Sequence, residues 1–205
     1  CCTANFGQGW PKFALSAFLH RGDTVVSAVP VPSELTDGGI HIVLETDYPF
    51  ENRLVYTVET DRPFTLVVRA PSFAENLTVN GEAPSGELRF SFRAGDRRTL
   101  ELRFGVTPRF ASRPHGLSAV RCGSLVFSVP IAYEKRVHEY VRDAVERKAP
   151  YCDYEYLPRS DWNYAYCDSS LVVENREIDD IPFSSENPPV VIKAAVQKIN
   201  WDLED

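Results

Sequence analysis

The chain begins with two adjacent cysteines, Cys1 and Cys2, followed by the stretch TANFGQGWPKF. A thiolate sulfur is both a zinc ligand and a nucleophile, so this pair is suited to metal binding or covalent catalysis. From the residues alone three interpretations stay open. The pair is a lipidated mature terminus, an incidental or disulfide-bonded pair, or the trailing part of a metal or nucleophile site whose other half lies upstream. Adjacent cysteines differ from the C-x2-C spacing that is typical of zinc sites.

The histidines and the remaining cysteines are expected to have structural roles. The histidines share no H-x-x-x-H or H-E-x-x-H spacing, and the remaining cysteines have no spacing typical of metal ligands, so no second metal site is expected. These residues are His20, His41, His115, His138, Cys122, Cys152 and Cys167.

Carboxylates and aromatic residues form the last candidate groups. The pairs Asp153/Glu155 and Asp179/Asp180 could act as an acid and a base, but solvated charges are the expectation in turns and at sheet edges. An aromatic group in the last third of the chain is expected to be core or an inter-domain seam, with sugar stacking as the alternative. Its members are Trp162, Tyr164, Tyr154 and Tyr156.

Composition limits the class of protein. The 205 residues, 43% hydrophobic and 25% charged, are typical of a globular chain with one large or two small domains. A net charge of −7 argues against a nucleic-acid partner. No apolar run approaches the roughly 20 residues that span a bilayer, so no membrane partner is expected.

The cysteine count and the missing methionine bear on processing and location. The sequence contains no Met and starts with Cys1, which indicates a processed chain or a fragment whose targeting signal would lie upstream. Five cysteines, an odd number, do not suggest a disulfide framework. A reducing compartment, and therefore the cytoplasm, is the favoured location.

The first element that must position the cysteine pair is a helix. Apolar residues from Phe6 to Phe18 follow the spacing of a helix with one buried face, with Thr3 as N-cap and Gly22 as the stop. Glycines and Pro11 weaken the first turn, so the helix is predicted from Trp10 to Leu19.

After Gly22 the hydrophobic period changes to two residues. Short segments rich in Val, Leu, Thr, Phe and Tyr alternate with Gly, Pro and Asp, a pattern typical of a β-sandwich. Asn80-Gly81 predicts a tight hairpin turn. Segment 136–149 is expected to be a short helix or a charged excursion. The strands after Pro114 are enough to complete the first sandwich or to begin a second one.

Several stretches together resemble a known family. CCTANFGQGWPKF, TDYPFENRLVYTV, PFTLVVRAPSFAENLTVNG, GSLVFSVPI and WNYAY occur in the order and spacing of the C-terminal portion of bacterial β-L-arabinofuranosidases, glycoside hydrolase family 127, and their uncharacterised relatives. The resemblance covers nearly the whole chain. One departure is Phe73, where the family pattern predicts tryptophan.

The resemblance implies an architecture. It predicts a mainly β fold of antiparallel β-sandwich domains, preceded by one helix left over from an (α/α)6 barrel. The expected segments are 1–21, the last helical segment of the barrel; 22–112, a β-sandwich; and 113–205, a second sandwich portion or completing strands.

The resemblance also implies a site. Cys1 is expected to be the nucleophile and, with Cys2, a ligand of zinc, while a glutamate and a further cysteine from earlier in the chain complete the metal site. An upstream glutamate is expected to be the acid/base. The cofactor is therefore zinc in the full-length protein, with no tight binding expected by this chain alone.

Two functions follow. The first is the C-terminal part of a retaining glycoside hydrolase acting on arabinose-containing glycans, with a carbohydrate substrate and the upstream barrel as partners. The second is a non-catalytic β-sandwich that binds carbohydrate or buttresses the barrel. The apolar face of the N-terminal helix is expected to be partly exposed, or to pack against a partner chain such as the second copy in a homodimer.

Overall fold

The computed structural model describes residues 5–201. Helix α1 spans Gly9–Leu15, and the described elements that follow are β-strands apart from one short 3-10 turn at Pro114–Gly116. This confirms the predicted mainly β fold with one helix near the N-terminus. Among the residues described, no helix has the length and apolar character needed to cross a membrane.

The chain divides into two compact units. The first comprises the described residues up to Thr107 together with Cys122–Leu125. The second comprises Pro108–Arg121 and the described residues from Val126 onward.

A four-stranded sheet forms one layer of the first unit. In spatial order its strands are β1 (Phe18–Arg21), β2 (Thr24–Ser27), β6 (Phe64–Val68) and β8 (Arg89–Phe92). The pairs β1–β2 and β6–β8 are antiparallel, whereas β2 and β6 run parallel. The sheet is therefore mixed, although the other pairs of this unit follow the predicted antiparallel arrangement.

A five-stranded antiparallel sheet forms the other layer. In spatial order its strands are β3 (Ser33–Asp37), β4 (Ile40–Glu45), β5 (Arg53–Thr60), β9 (Arg97–Gly105) and β7 (Glu75–Val79). Strand β5 lies between β4 and β9 and is bonded to both in continuous register.

The core lies between these two sheets. Side chains of β4, β5 and β9 alternate between buried and partly exposed, as the two-residue period predicts for a sheet with one buried face. They form one cluster with side chains of the mixed sheet, and its members include Val25, Ile42, Leu54, Tyr56, Val58, Phe64, Leu66, Phe92, Leu100 and Leu102. Each such side chain contributes about 1.5–3 kcal/mol when fully buried, so this cluster is the main source of stability of the sandwich.

The turn between β7 and the next segment has the predicted conformation. Asn80 and Gly81 have φ values of 49° and 87°, and the amide of Glu82 donates to the carbonyl of Val79 over 3.0 Å. Positive φ at both central residues is the signature of the type I′ turn that Asn-Gly favours.

The predicted end of the helix at Leu19 is wrong. Helix α1 ends at Leu15, and the Ser16 amide caps it by donating to the carbonyl of Phe13. Phe18 and the following residues instead form β1, which pairs with β2 from Phe18/Ser27 to Arg21/Thr24. Sheet hydrogen bonds and packing against the core outweigh the helical spacing of these residues, and Gly22 (φ 58°) makes the hairpin turn.

The later strands form smaller sheets. Strands β10 (Arg109–Ser112), β11 (Ser118–Cys122) and β12 (Leu125–Phe127) make a three-stranded sheet. Two-stranded antiparallel sheets follow: β13 (Tyr133–His138) with β16 (Asp153–Pro158), β14 (Tyr140–Arg142) with β15 (Val145–Arg147), and β17 (Tyr164–Asn175) with β18 (Val190–Lys198). Segment 136–149 is thus strand and turn, and the helical alternative for it is wrong.

The second unit buries few side chains. Of its described residues only Val120 and Pro189 are fully buried. In the described part of the chain, strands β13 to β18 pair only among themselves. The unit is therefore a set of hairpins with most side chains at least partly accessible.

Candidate functional site

The predicted nucleophile and zinc ligands, Cys1 and Cys2, lie outside the described residues, so their roles stay predictions. The structure does describe the segment that follows them. Within residues 5–201 it contains no group of three or more His, Cys, Asp or Glu side chains that could hold a metal ion.

Helix α1 is anchored at its C-terminal end. Ala17 is buried, its amide donates to the carbonyl of Ala14, and its carbonyl accepts from the amide of Ala28 over 2.9 Å. Phe18 packs against the sandwich core. These contacts fix the point at which the helix leaves the first sheet.

The helix itself exposes its apolar side chains. No residue of Gly9–Leu15 is buried, and Trp10 and Phe13 are 68% and 44% exposed. Their rings contact each other edge to face, with centroids 6.4 Å apart, and Phe6 and Leu15 are also exposed. The predicted partial exposure is confirmed for Trp10 and Phe13, whereas Phe18 belongs to the sandwich.

Three histidines pair with single carboxylates on the protein surface. His41 Nε2 lies 2.8 Å from Glu34 Oε1. His20 lies 3.5 Å from Asp37, and His138 lies 3.5 Å from Glu155. The fourth, His115, occupies a left-handed position in the 3-10 turn, with φ 60°.

The three described cysteines, Cys122, Cys152 and Cys167, are free thiols. Burial raises the pKa of the Cys122 thiol, and the nearby Glu75 carboxylate raises it further. A thiol with a raised pKa is a poor nucleophile at neutral pH. Cys122 is therefore unsuited to the role proposed for Cys1.

The carboxylate pairs take part in ordinary surface contacts. Asp153 accepts a bond from the hydroxyl of Tyr140, and Glu155 forms an ion pair with Arg136 at 3.7 Å. Asp179 accepts a bond from the amide nitrogen of Asn187 over 2.7 Å.

The aromatic group is divided between two places in the second unit. Tyr154 and Tyr156 lie on β16 beneath Lys135 of β13, whose ammonium nitrogen is 4.2 Å from the centroid of the Tyr154 ring. A hydrogen bond with the Cys152 side chain raises the pKa of the Tyr154 phenol.

Trp162 instead contacts Trp201, with ring centroids 5.5 Å apart and planes inclined by 61°. Sequence reasoning missed Trp201 because it lies far from Trp162 along the chain. The long hairpin of β17 and β18, whose register ends at Tyr164/Lys198, brings the two indoles together. A tryptophan just beyond the last strand was the available clue.

Comparison with known proteins identifies solved structures with a similar fold. No protein-family profile matches the sequence, and no curated protein matches it. Among solved structures, the chain is similar to Ara127N-Se, a GH127 β-L-arabinofuranosidase from Geobacillus stearothermophilus T6, with 18% identity and a TM-score of 0.51. The similarity covers 96% of this chain and 34% of that one.

Two further structures are similar. The GH127 β-arabinofuranosidase BT3674 has 18% identity and a TM-score of 0.50, with 96% of this chain and 35% of that one covered. A structure described as a glycoside hydrolase has 18% identity and a TM-score of 0.53, with 77% and 36% covered. The chain thus spans about a third of the length of these proteins. The predicted resemblance to glycoside hydrolase family 127 is therefore confirmed at the level of the fold.

Proposed function

We propose that this chain is the C-terminal part of a retaining glycoside hydrolase that acts on arabinose-containing glycans. Support comes from the shared fold over 96% of the chain with two structures described as GH127 arabinofuranosidases. The upstream barrel supplies the rest of the active site, and this chain supplies Cys1 and Cys2.

The observation that carries the proposal is the exposed apolar surface of α1, a few residues after the cysteine pair. Exposed apolar patches of this kind mark interaction surfaces. Trp10 and Phe13 are exposed, whereas Ala17 is buried and anchors the end of the helix by its hydrogen bond with Ala28. A barrel seated on this surface would contact a helix that begins seven residues after Cys2 in the sequence.

The donor set of the chain fits half of a zinc site. Two thiolates supply two of the four ligands of a tetrahedral site, and the described residues offer no clustered donors to complete it. The remaining ligands are proposed to be a glutamate and a cysteine from the barrel. A bound zinc ion would keep the Cys1 thiol deprotonated.

In the proposed reaction this chain supplies the nucleophile. The Cys1 sulfur attacks the anomeric carbon as the glycosidic bond breaks, and the leaving oxygen takes its proton from an acid/base carboxyl of the barrel. Retention requires that carboxyl to lie about 5 Å from the nucleophile.

A second function is a non-catalytic module that binds carbohydrate. The observation that favours it is the Trp162–Trp201 pair, which is partly accessible to solvent in the second unit.

The test uses the full-length protein that contains this chain. Cys1→Ser is expected to abolish hydrolysis of an aryl β-L-arabinofuranoside, and Cys2→Ser to lower both zinc content and turnover. Cys167→Ser, at an exposed cysteine, is the matched control and should leave both unchanged. A Cys1→Ser protein that retains its rate contradicts the nucleophile assignment.

The chain alone provides the complementary test. It should not cleave the substrate, because a nucleophile without an acid/base carboxyl does not complete the reaction. It should also bind zinc far more weakly than a closed four-ligand site, which competition with a chromogenic chelator measures. Cleavage by the purified chain would contradict the proposal.

A further inference from the structure

An open cleft lies in the second unit, between the loop after β16 and the end of β18. Its volume is about 720 Å³, and the residues that define it are Arg159, Ser160, Asp161, Trp162, Lys198 and Trp201. This volume falls in the range of about 300–1,000 Å³ that is usual for small-molecule sites. The two indoles form its apolar part.

The loop that carries Trp162 is held in place from two sides. Asn163 and Ile199 exchange two hydrogen bonds, from the side-chain amide to the carbonyl over 2.7 Å and from the Ile199 amide over 3.0 Å. On the other side, the Arg159 amide donates to the Ala132 carbonyl, and the Ala132 amide donates to the Ser160 hydroxyl. These hydrogen bonds hold the lining residues in place, which lowers the entropic cost of binding a ligand.

The charges that line the cleft are compensated. The Lys198 ammonium lies 2.8 Å from Asp161, and the Arg159 guanidinium pairs with Glu134. Both pairs are partly exposed to solvent. A cleft with paired charges does not attract an anion strongly, and it suits a neutral, hydroxyl-rich ligand.

The polar groups retain hydrogen-bonding capacity. Lys198 uses one of its three donors on Asp161 Oδ1, which leaves the second carboxylate oxygen to accept from a hydroxyl. The Ser160 hydroxyl accepts from a backbone amide and can still donate. Donors and acceptors beside an aromatic face are the combination that binds a sugar, whose C–H face stacks on the ring while its hydroxyls bond at the edge.

Among the residues that the structure describes, the cleft does not hold the two carboxyl groups that hydrolysis needs. Asp161 is the one carboxylate among its lining residues, whereas glycosidases use two carboxyl groups on opposite sides of the scissile bond. We propose that the Trp162–Trp201 cleft is a non-catalytic binding site for a neutral sugar unit of a glycan chain. This inference rests on the second function proposed above, a module that binds carbohydrate, and it does not depend on the hydrolase proposal.

The test is affinity electrophoresis of the chain in gels that contain arabinan, arabinoxylan or mixed-linkage β-glucan, with polygalacturonate as the anionic comparison. At least one neutral polysaccharide should retard the protein. Trp162→Ala and Trp201→Ala should each weaken the interaction about tenfold, as is typical when a central aromatic contact is truncated. The matched control is Tyr151→Ala, an aromatic residue of the same unit that is 81% exposed, and it should bind normally.

Two additions separate loss of binding from loss of folding. Trp162→Phe and Trp201→Phe keep an aromatic face and should retain most of the retardation. A Trp10→Phe protein keeps only the two cleft tryptophans of the three in the chain. Its fluorescence should therefore shift on titration with oligosaccharides of the retarding polymer. Retardation by no neutral polymer, by polygalacturonate alone, or equally by the alanine variants would overturn the proposal.

Discussion

The hydroxyl of Ser27, on β2 of the mixed sheet, lies 2.9 Å from the hydroxyl of Tyr56, on β5 of the antiparallel sheet. Both residues are buried, so this bond joins the two layers inside the sandwich. A buried polar group without a partner is costly, and each hydroxyl here satisfies the other.

Removal of both hydroxyls is therefore expected to cost less than the two single removals added together. Tyr56→Phe and Ser27→Ala should each lower the free energy of unfolding by about 1–3 kcal/mol, because the remaining hydroxyl is left unpaired. The double variant should lose less than the sum of the two. Urea denaturation measures all three, with the exposed Tyr151→Phe as control. Additive losses would show that the bond contributes nothing.

Stability is expected to fall in alkali through Tyr56. Burial raises the pKa of Tyr56 from 10.0 to about 12, against the smaller lowering effect of the Ser27 hydrogen bond. A group whose pKa is raised in the folded state stabilises the fold fully below its unfolded pKa and loses that contribution as the pH rises. The loss falls between about pH 10 and 12 and amounts to about 3 kcal/mol.

The measurement compares the wild type with Tyr56→Phe by urea denaturation from pH 8 to 12. The other tyrosines titrate in both proteins, so the difference isolates Tyr56. The difference in the free energy of unfolding between the two proteins should become smaller as the pH rises. A difference that stays constant would contradict the assignment of the alkaline loss of stability to Tyr56.

Gly123 is expected to tolerate alanine poorly. It has φ 60°, and a Cβ atom placed there would lie 3.0 Å from Cε2 of Phe73. Gly81 is the matched control, since its φ is also positive but a Cβ would meet no atom within 4 Å. Gly81→Ala should cost about 1 kcal/mol from backbone conformation alone, and Gly123→Ala about 1 kcal/mol more. Thermal denaturation measures the stability of both variants. Equal losses would show that the Phe73 side chain moves away from the new Cβ at no cost in stability.

The apolar side chains of α1 should contribute little to the stability of the chain alone. Trp10→Ala and Phe13→Ala are expected to change the free energy of unfolding by less than about 1 kcal/mol, because neither side chain is buried. Leu66→Ala, in the sandwich core, should cost about 2–5 kcal/mol. A large loss at Trp10 would mean that the helix packs on the sandwich in solution.

The sandwich could be predicted because apolar and polar residues alternate along each of its central strands. Alternation along β4, β5 and β9 follows from one buried face, and Asn80-Gly81 encodes its turn locally. The direction of β2 against β6 could not be predicted, because it depends on the path of the chain between them. The domain limits at 21/22 and 112/113 stay predictions.

The errors have a common origin in long-range pairing. Phe18 and Leu19 continue the helical spacing of α1, yet antiparallel pairing of β1 with β2, in which they lie opposite Ser27 and Val26, places them in a strand. Likewise the sequence groups Trp162 with nearby tyrosines, whereas the hairpin of β17 and β18 brings Trp201 into contact with it. The cysteine pair was found through its neighbouring residues, and its ligand set stays a prediction.

The parallel pairing of β2 with β6 bears on how the chain folds during synthesis. Strand β2 emerges from the ribosome well before β6, and its partner cannot arrive through a local turn, so closing the mixed sheet carries the loop entropy of the intervening residues. A late contact of the first unit, the hydrogen bond of 2.8 Å from the Tyr48 hydroxyl to the Ser124 hydroxyl, forms only after the segment Cys122–Leu125 has been made. The nascent sandwich therefore leaves one edge of β2 unpaired until β6 has been made, and an unpaired strand edge is prone to aggregation.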